Sequence, residues 1–478
     1  MVGLALVALA LRGALHPDFP EGPDSVLFAR GVEHYSLLSL RPHWPGYPLY
    51  ILAGRLFLGA FGEPLRALHA LSCVASSLCV LPLCALVRLG LRAQGASERQ
   101  AWQSGLVASA LWTVAPLAWL DGSEAFSDPL ALLAALSMLW ACCRALAPGG
   151  SPVVPLLTAA LLGGAVLGIR LSYGALLPAL GVATWRLRSA RGPRGLGRLA
   201  GQAAALFAAG VLAWLCWQLA QDGSGFFRMA RQHLTGHFTR WGGSVATDAR
   251  LSSRPGRMLW TLWVHGLGGA WPGWGWQRLP ASVLWGALLP FGLVRLARAP
   301  SAFRAPVLAW ILPYALWSAL AHDVDLARYT FPQVALLCLL AGLGSEGARL
   351  GWAVAAIPAL AWVSAPLALL NRESKPVALQ LSEDVRARLG PDDALLLPEV
   401  TPFLSGPGMP ACIPVDRLSF EPKREGLVAR GRAVFTTSAA LEATGAASTG
   451  WVEVARFRQD PRIQSRGPWT LRLYRYAP

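Results

Sequence analysis

The sequence predicts an all-α polytopic membrane protein carrying a small α/β domain at its C-terminal end. Three observations predict it. The 478 residues are 54% hydrophobic and only 14% charged, where soluble domains carry about 25% charged residues. Apolar runs such as LRALHALSCVASSLCVLPLCALVRLGL (65–91) and GQAAALFAAGVLAWLCWQLA (201–220) reach the ~20 residues that cross a bilayer. Beyond residue 371 the charge density rises and the long apolar runs give way to short ones.

Taken in order, eleven spans are expected near 1–15, 66–88, 102–120, 127–146, 152–169, 171–186, 198–220, 281–297, 303–321, 327–345 and 350–371. The first has no basic leading region and no A-x-A cleavage site, so it reads as a span and not as a signal peptide. It is short, with Arg12 near its end, which leaves its upstream turn open. The fifth and sixth form a tight pair turning at GIRLSY. Orientation follows from arginines in short loops. Arg186, Arg188, Arg191, Arg194 and Arg198 share one such loop, Arg88, Arg92 and Arg99 another, and Arg295, Arg298 and Arg304 a third. With all three cytoplasmic, the first outer loop is 16–65, the long outer loop is 221–280, and 372–478 is a soluble extracytoplasmic domain following a membrane domain of 1–371. The count alternates correctly only if 16–65 stays outside. PLYILAGRLFLGAFG (48–62) is then no span: it is short and interrupted by Arg55, and reads as a helix lying on the membrane surface. In the tail, VALQLSEDVRARLG (377–390) has a helical pattern. ALLLP, AVFTT, WVEVARF and WTLRLYRY read as strands, the last two as a hairpin.

The net charge of +16 includes only two lysines, Lys375 and Lys423, among 42 basic residues. An Ala/Gly/Pro/Arg-rich, lysine-poor chain is what a GC-rich genome encodes, and it reads as bacterial. The arginines sit between spans, so membrane orientation explains the charge and nucleic acid is not an expected partner. Seven of the eight cysteines lie in apolar runs and Cys412 stands alone in the tail, with neither a disulfide framework nor a CxxC pattern.

The acids locate the chemistry. Fourteen precede residue 372, and in this topology only Glu98 and Glu346 are cytoplasmic; none lies at mid-span. Transport pathways place ionisable groups near the midplane. Acids gathered at the outer surface favour chemistry there. They form three clusters: PDFPEGPDSVLFARGVEHY (17–35), WLDGSEAFSDP (119–129) and AHDVDLARYTFP (321–332). Each also has a plain structural reading. Asp24 and Asp128 are suited to helix caps, and DVDLARY to a solvated turn with an interfacial tyrosine.

These residues resemble a family. DSVLFARGVEHYSLL followed by RPHWPGYPLYILAGRLFLGAFG looks like the first outer loop of GT-C membrane glycosyltransferases, in particular the protein O-mannosyltransferase-like group. PLAWLDGSEAF is similar to that group's second outer turn, and DLARYTFPQVALLCLLAG to its RY-x-x-P entry into a late span. The resemblance covers roughly 10–370; the tail resembles nothing nameable. Two departures stand out: Ser25 replaces a frequent second acid, and the proline pair is spread over PGYP. The resemblance implies a sugar linked to polyprenyl phosphate as donor, used at the outer face by a multi-pass protein of the bacterial inner membrane, with a protein, lipid or glycan acceptor. RPHWPGYPLY would be the turn laying one surface helix against another beside the donor groove. Its prolines fix the bend, Gly46 permits close approach, and Trp44, Tyr47 and Tyr50 are expected as anchors at headgroup level.

Transfer needs a base for the acceptor hydroxyl, and a surface carboxylate suits the task. Asp24 is the first candidate. Glu124 and Asp128 follow, for positioning the acceptor or holding Mg²⁺ or Mn²⁺; no ligand spacing requires a metal, and the resembled group is usually thought to manage without one. The departing phosphate calls for arginine. Arg170, Arg240, Arg328 and Tyr329 are the expected phosphate ligands, and a lone arginine such as Arg170 is costly unless paired. The segment FFRMARQHLTGHFTRWGG, with Arg228, Arg231, His233, His237 and Arg240, reads either as a lid over that phosphate or as a solvated basic face. His233 and His237 are spaced for zinc on a helix, with no third ligand adjacent. His43, Tyr47 and His237 are expected to line the substrate groove. LWTLWVHGLGGAWPGWGW (259–276) reads as an interfacial belt; as a true span it would put the tail in the cytoplasm. The competing functions are a flippase or transporter of lipid-linked intermediates, which predicts the mid-span polar groups that are sparse here, and a non-catalytic membrane scaffold for the tail.

Overall fold

The computed structural model describes the whole chain except residues 272–274, 400, 406–408, 464–469 and 478, and the side chains of 188–196 and 241. Arg188, Arg191, Arg194, Trp469 and the centre of the tryptophan-glycine run therefore lie outside the described side chains or residues. The chain forms two units. One comprises Met1–His16 and Phe28–Leu369; the other comprises Pro17–Leu27 and Leu370–Pro478.

The helices follow the apolar runs. They are α1 (Val2–Leu15), α2 (Pro23–Glu33), α3 (Pro48–Phe61), α4 (Pro64–Leu78), α5 (Val80–Arg92), α6 (Glu98–Val114), α7 (Pro116–Trp119), α8 (Asp128–Ala145), α9 (Val153–Ile169), α10 (Pro178–Arg186) and α11 (Arg188–Asp222). Then come α12 (Gly225–Gly236), α13 (Arg254–Trp260), α14 (Leu279–Arg298), α15 (Ser301–Ala321), α16 (Phe331–Gly344) and α17 (Leu350–Glu373). Each expected span contains helix, although 171–186 is built from a 3-10 segment (Leu171–Leu176) and the nine-residue α10. Among the described residues, six helical stretches are long and apolar enough by themselves to cross a membrane. The chain is a multi-pass membrane protein with a mostly helical fold. One local expectation changes: the arginine loop at 186–198 is not a loop for most of its length, because α11 begins at Arg188 and runs 35 residues.

Glycines set the closest helix crossings, as small residues do in membranes. A Cβ on Gly164 would lie 2.7 Å from the Phe207 carbonyl oxygen, where α9 meets α11. One on Gly292 would lie 2.0 Å from the Leu340 oxygen, where α14 meets α16. Buried arginines satisfy helix ends. Pro116 has no N–H for the Trp112 carbonyl, and α6 stops there. Fully buried Arg12 supplies the missing donor, reaching the oxygens of Trp112 at 3.4 Å and Ala118 at 2.9 Å. Arg55 does the same for α2, donating to the Val32 oxygen at 3.0 Å and the Gly31 oxygen at 3.4 Å. The charge that interrupts the surface-helix run is therefore a C-terminal cap for its neighbour.

The RPHWPGYPLY turn is pinned by the end of α11. Asp222 Oδ1 accepts from the Leu37 N–H at 3.0 Å, and Gln218 Nε2 donates to the Pro45 oxygen at 2.6 Å. Gly46, at φ +91°, leaves no room for a side chain: a Cβ would stand 2.2 Å from both Gln218 Nε2 and Tyr35 Oη. The close approach expected of Gly46 is present. The expected headgroup anchors are not. Trp44 and Tyr47 are each 9% exposed and Tyr50 is 0% exposed. Phe28 of α2 meets Tyr47 and Tyr50 edge-on at 4.8 and 5.1 Å, so these rings pack inside the protein. Alternating aromatics in a proline-rich turn could not reveal which neighbours would cover them.

The tail carries α18 (Val377–Arg388), α19 (Phe420–Val428) and α20 (Ser438–Thr444) with strands β1 (Ala394–Leu397), β2 (Ala411–Pro414), β3 (Val434–Thr437), β4 (Trp451–Arg458) and β5 (Thr470–Tyr476). The sheet order is β2-β1-β3-β5-β4, parallel among β2, β1 and β3 and antiparallel from β3 onward. Strand alternation splits β1 between two cores. Leu395 and Leu397 face Val377, Leu381 and Val385 of α18, while Ala394 and Leu396 join Phe420, Leu427 and Trp451. The β4–β5 hairpin matches expectation. β2 does not appear in the sequence reading, because ACIP is short and ends in proline, which an edge strand tolerates.

Candidate active site at one end of the helical unit

Chain direction brings four helix ends together: the start of α8, the end of α9, the end of α15 and the start of α16. Asp128 is the first residue of α8, with Pro129 behind it, and Arg170 closes α9 in extended conformation. Their side chains form a buried ion pair, Arg170 Nε to Asp128 Oδ1 at 3.0 Å, with side-chain exposures of 6% and 1%. Arg170 Nη1 also donates to Ser127 Oγ at 3.0 Å. Burial is the largest influence and opposes the guanidinium charge, but the Asp128 carboxylate, together with Tyr47 and Tyr329, more than offsets it and raises the Arg170 pKa above its ordinary value. The arginine expected to be costly unless paired is paired, with Asp128 of the WLDGSEAFSDP stretch.

Tyr329 is the hub of the cluster. The Arg170 and Arg328 guanidinium carbons lie 5.5 and 5.2 Å from its ring centre, within cation–π range. Arg328 also sits 4.7 Å over Phe126. Tyr314 Oη donates to the Tyr329 carbonyl oxygen at 3.1 Å and packs edge-on against Tyr173 at 5.3 Å. The His322 ring stacks on Tyr329 at 4.1 Å and 18°. The arrangement presents two guanidinium groups, those of Arg170 and Arg328, around one aromatic ring.

The long loop at 221–280 is tied to the same end. Buried Arg254 donates to the Ala319 oxygen at 2.7 Å, the Gly243 oxygen at 2.8 Å and the His322 oxygen, and pairs with Asp248 at 2.8 Å. Arg257 bridges Asp248 and Asp325, the latter at 2.6 Å. The backbone N–H of Arg250 and the Arg254 and Arg257 side chains more than offset the burial of Asp248 and hold its pKa down at about 2. A second aromatic row links this loop to the first. His43 lies 3.0 Å from Tyr47 Oη, and His233 sits 6.0 Å from His43, 5.3 Å from Trp44 and 6.2 Å from His237. His237 Nε2 is 2.7 Å from the Ala321 oxygen. Tyr47 is also within electrostatic reach of Arg170, so the two rows adjoin.

Of the residues singled out from sequence, Asp128, Arg170, Arg328 and Tyr329 come together in one cluster. His43, Tyr47 and His237 fall in the adjoining row. Glu124 is half-buried in the bend just before α8. Arg240 is exposed on the π-helical segment His237–Trp241, and no described contact joins it to the cluster. Asp24 stands in the first turn of α2, in the Pro17–Leu27 segment that groups with the tail. Among the described residues no group of three or more metal-ligating side chains occurs. Tyr173, Tyr314, His322 and Arg254 escaped the sequence reading. A tyrosine within an apolar span was the available signal, since its hydroxyl needs a polar partner there.

The fold so built is GT-C-like. ArnT from Cupriavidus metallidurans bound to undecaprenyl phosphate matches it with a TM-score of 0.57 over 99% of this chain and 97% of that chain, at 13% identity. ArnT from the same organism in the apo state matches at TM-score 0.55 over 99% and 96%, at 15% identity. No curated protein sequence matches the chain. Residues 36–184 match the family model of the protein O-mannosyl-transferase TMEM260 N-terminal domain. That segment contains the RPHWPGYPLY turn, the DGSEAFSDP turn and Arg170, so the likeness to the O-mannosyltransferase-like group rests on the region that carries half of the cluster.

Proposed function

We propose that the protein is an integral membrane glycosyltransferase of the GT-C type. It moves a sugar from a polyprenyl-phosphate-linked donor to a hydroxyl acceptor on a protein, lipid or glycan at the outer face of a bacterial cytoplasmic membrane. The observation that carries the proposal is the convergence of Arg170, Arg328 and Tyr329 at one end of the helical unit, in a fold shared with a protein whose solved structure holds undecaprenyl phosphate.

The chemistry follows from charge. As the acceptor oxygen bonds to the anomeric carbon, the bond from that carbon to the donor phosphate breaks and charge grows on the departing polyprenyl phosphate. Arg328 and Arg170 offset it. Asp128 holds Arg170 in place and keeps it charged, which makes Asp128 a positioning residue. The acceptor proton passes to a carboxylate. Asp24 keeps this role on its place in the first outer loop and on the family likeness, with Glu124 as second candidate. The His43–Tyr47–His237 row lines the groove, and 372–478 is a soluble extracytoplasmic domain. Nothing in this scheme requires a divalent ion.

Mass analysis of glycolipids and glycoproteins from cells with and without the gene tests the proposal. A sugar-bearing species is expected to disappear with the gene, to return with the wild-type copy, and to stay absent with folded Asp24→Ala or Arg170→Ala protein. Unchanged glycans in the deletion, or full rescue by both variants, overturns it.

A further inference from the structure

We infer that His322, through its Nδ1–H, is a third hydrogen-bond donor to the phosphate of the lipid-linked donor, alongside Arg170 and Arg328. The inference rests on the reading of those two arginines as phosphate ligands.

The tautomer is fixed by a neighbour. Trp317 Nε1 donates to His322 Nε2 at 3.1 Å. Indole nitrogen can only donate, so Nε2 must accept and the neutral ring carries its proton on Nδ1. His322 is 4% exposed, and Nδ1 is buried with no protein acceptor among the described residues. A buried N–H without an acceptor costs free energy that a stacked ring alone does not return. The residue is also held firmly. Arg254 clamps its backbone oxygen, Trp317 its Nε2, and Tyr329 its face. Burial, then Arg170, His237, Arg328 and Arg254, keeps the imidazole well below its ordinary pKa, hence neutral. A rigid, neutral donor among guanidinium groups is complementary to an oxyanion and adds no repulsion to the arginines. Tyr329 is the common support, because it touches His322 on one side and both arginines within 5.5 Å.

The test measures equilibrium binding of a short-chain polyprenyl phosphate to purified full-length protein in lipid nanodiscs, with inorganic phosphate as a parallel ligand. His322→Phe keeps the stacking and deletes the donor. It is expected to weaken lipid-phosphate binding by roughly tenfold or more, the loss of one hydrogen bond to a charged acceptor. His322→Asn places an amide N–H near the lost Nδ1–H and should recover most of that loss. Inorganic phosphate weakened in parallel assigns the effect to the phosphate and not to the chain. Wild-type affinity in His322→Phe, or equal loss in Phe and Asn variants of equal thermal stability, overturns the inference. Arg328→Gln separates it from the reading beneath: if that variant binds normally, the phosphate site itself is wrong, whereas loss there with unchanged His322→Phe sinks the histidine alone.

Discussion

Replacing Asp128 by alanine leaves the Arg170 guanidinium buried, its side chain 6% exposed, without the carboxylate 3.0 Å away. Breaking a buried pair from one side costs about 3–5 kcal/mol, because the surviving charge stays out of water. Arg170→Met in turn removes the guanidinium from beside the Asp128 carboxylate, 1% exposed. The double variant Asp128→Ala, Arg170→Met removes both charges together, and apolar replacement of a buried pair is often close to neutral. The four proteins therefore form a cycle with a large coupling energy, about 6 kcal/mol or more, since two single losses of about 3–5 kcal/mol each collapse to a small loss in the double variant. Thermal and denaturant unfolding of the purified proteins in one detergent reads it. Function separates from stability in the same set: the double variant regains stability but not sugar transfer, because the phosphate has lost its arginine. Single effects under about 1 kcal/mol that simply add, as for exposed pairs, refute the claim that this pair organises the site.

Other consequences follow from the geometry. Gly46→Ala meets both a φ of +91° and contacts at 2.2 Å, so a loss of at least about 1–3 kcal/mol is expected in unfolding measurements. The folded Asp248 pKa is lowered to about 2, so its contribution is complete above the ordinary carboxylate range and disappears as pH falls through about 2. Hydrogen-exchange protection factors in 242–260 should therefore stay high at pH 5 and fall toward pH 2. Arg257→Gln moves that loss to higher pH, and an unchanged profile counts against the loop clamp. Gly292→Leu drives a side chain into the Leu340 carbonyl and should lower thermal stability sharply, whereas Gly286→Leu, with open space around it, should not.

Much of this architecture was legible because a bilayer demands long apolar helices and little else. The helices fall where hydropathy places them, and Arg55 marks α3 as different from its neighbours. The alternation of ALLLP and the final two strands made the tail's hairpin readable. The partnerships across the cluster were not legible. Asp128 and Arg170 are 42 residues apart in a chain with many arginines, and only antiparallel packing of α8 and α9 makes them neighbours. His322 looked like one polar residue in a polar turn. Its significance lies in the indole that fixes its tautomer and the ring on which it stacks. Trp44, Tyr47 and Tyr50 show the opposite failure. Aromatics near a membrane surface suggest headgroup anchors, yet here Phe28 packs on Tyr47 and Tyr50, and His233 lies against Trp44.

The most direct measurement follows the conversion of a synthetic polyprenyl-phosphate-linked sugar to free polyprenyl phosphate in membranes that contain the protein. Wild-type membranes should release the lipid phosphate as the sugar appears on an endogenous acceptor, while membranes with Arg170→Met or Arg328→Gln protein at equal abundance should do neither. Equal release and transfer by wild type and both variants would contradict the account, because the lipid phosphate would then be handled somewhere other than this cluster.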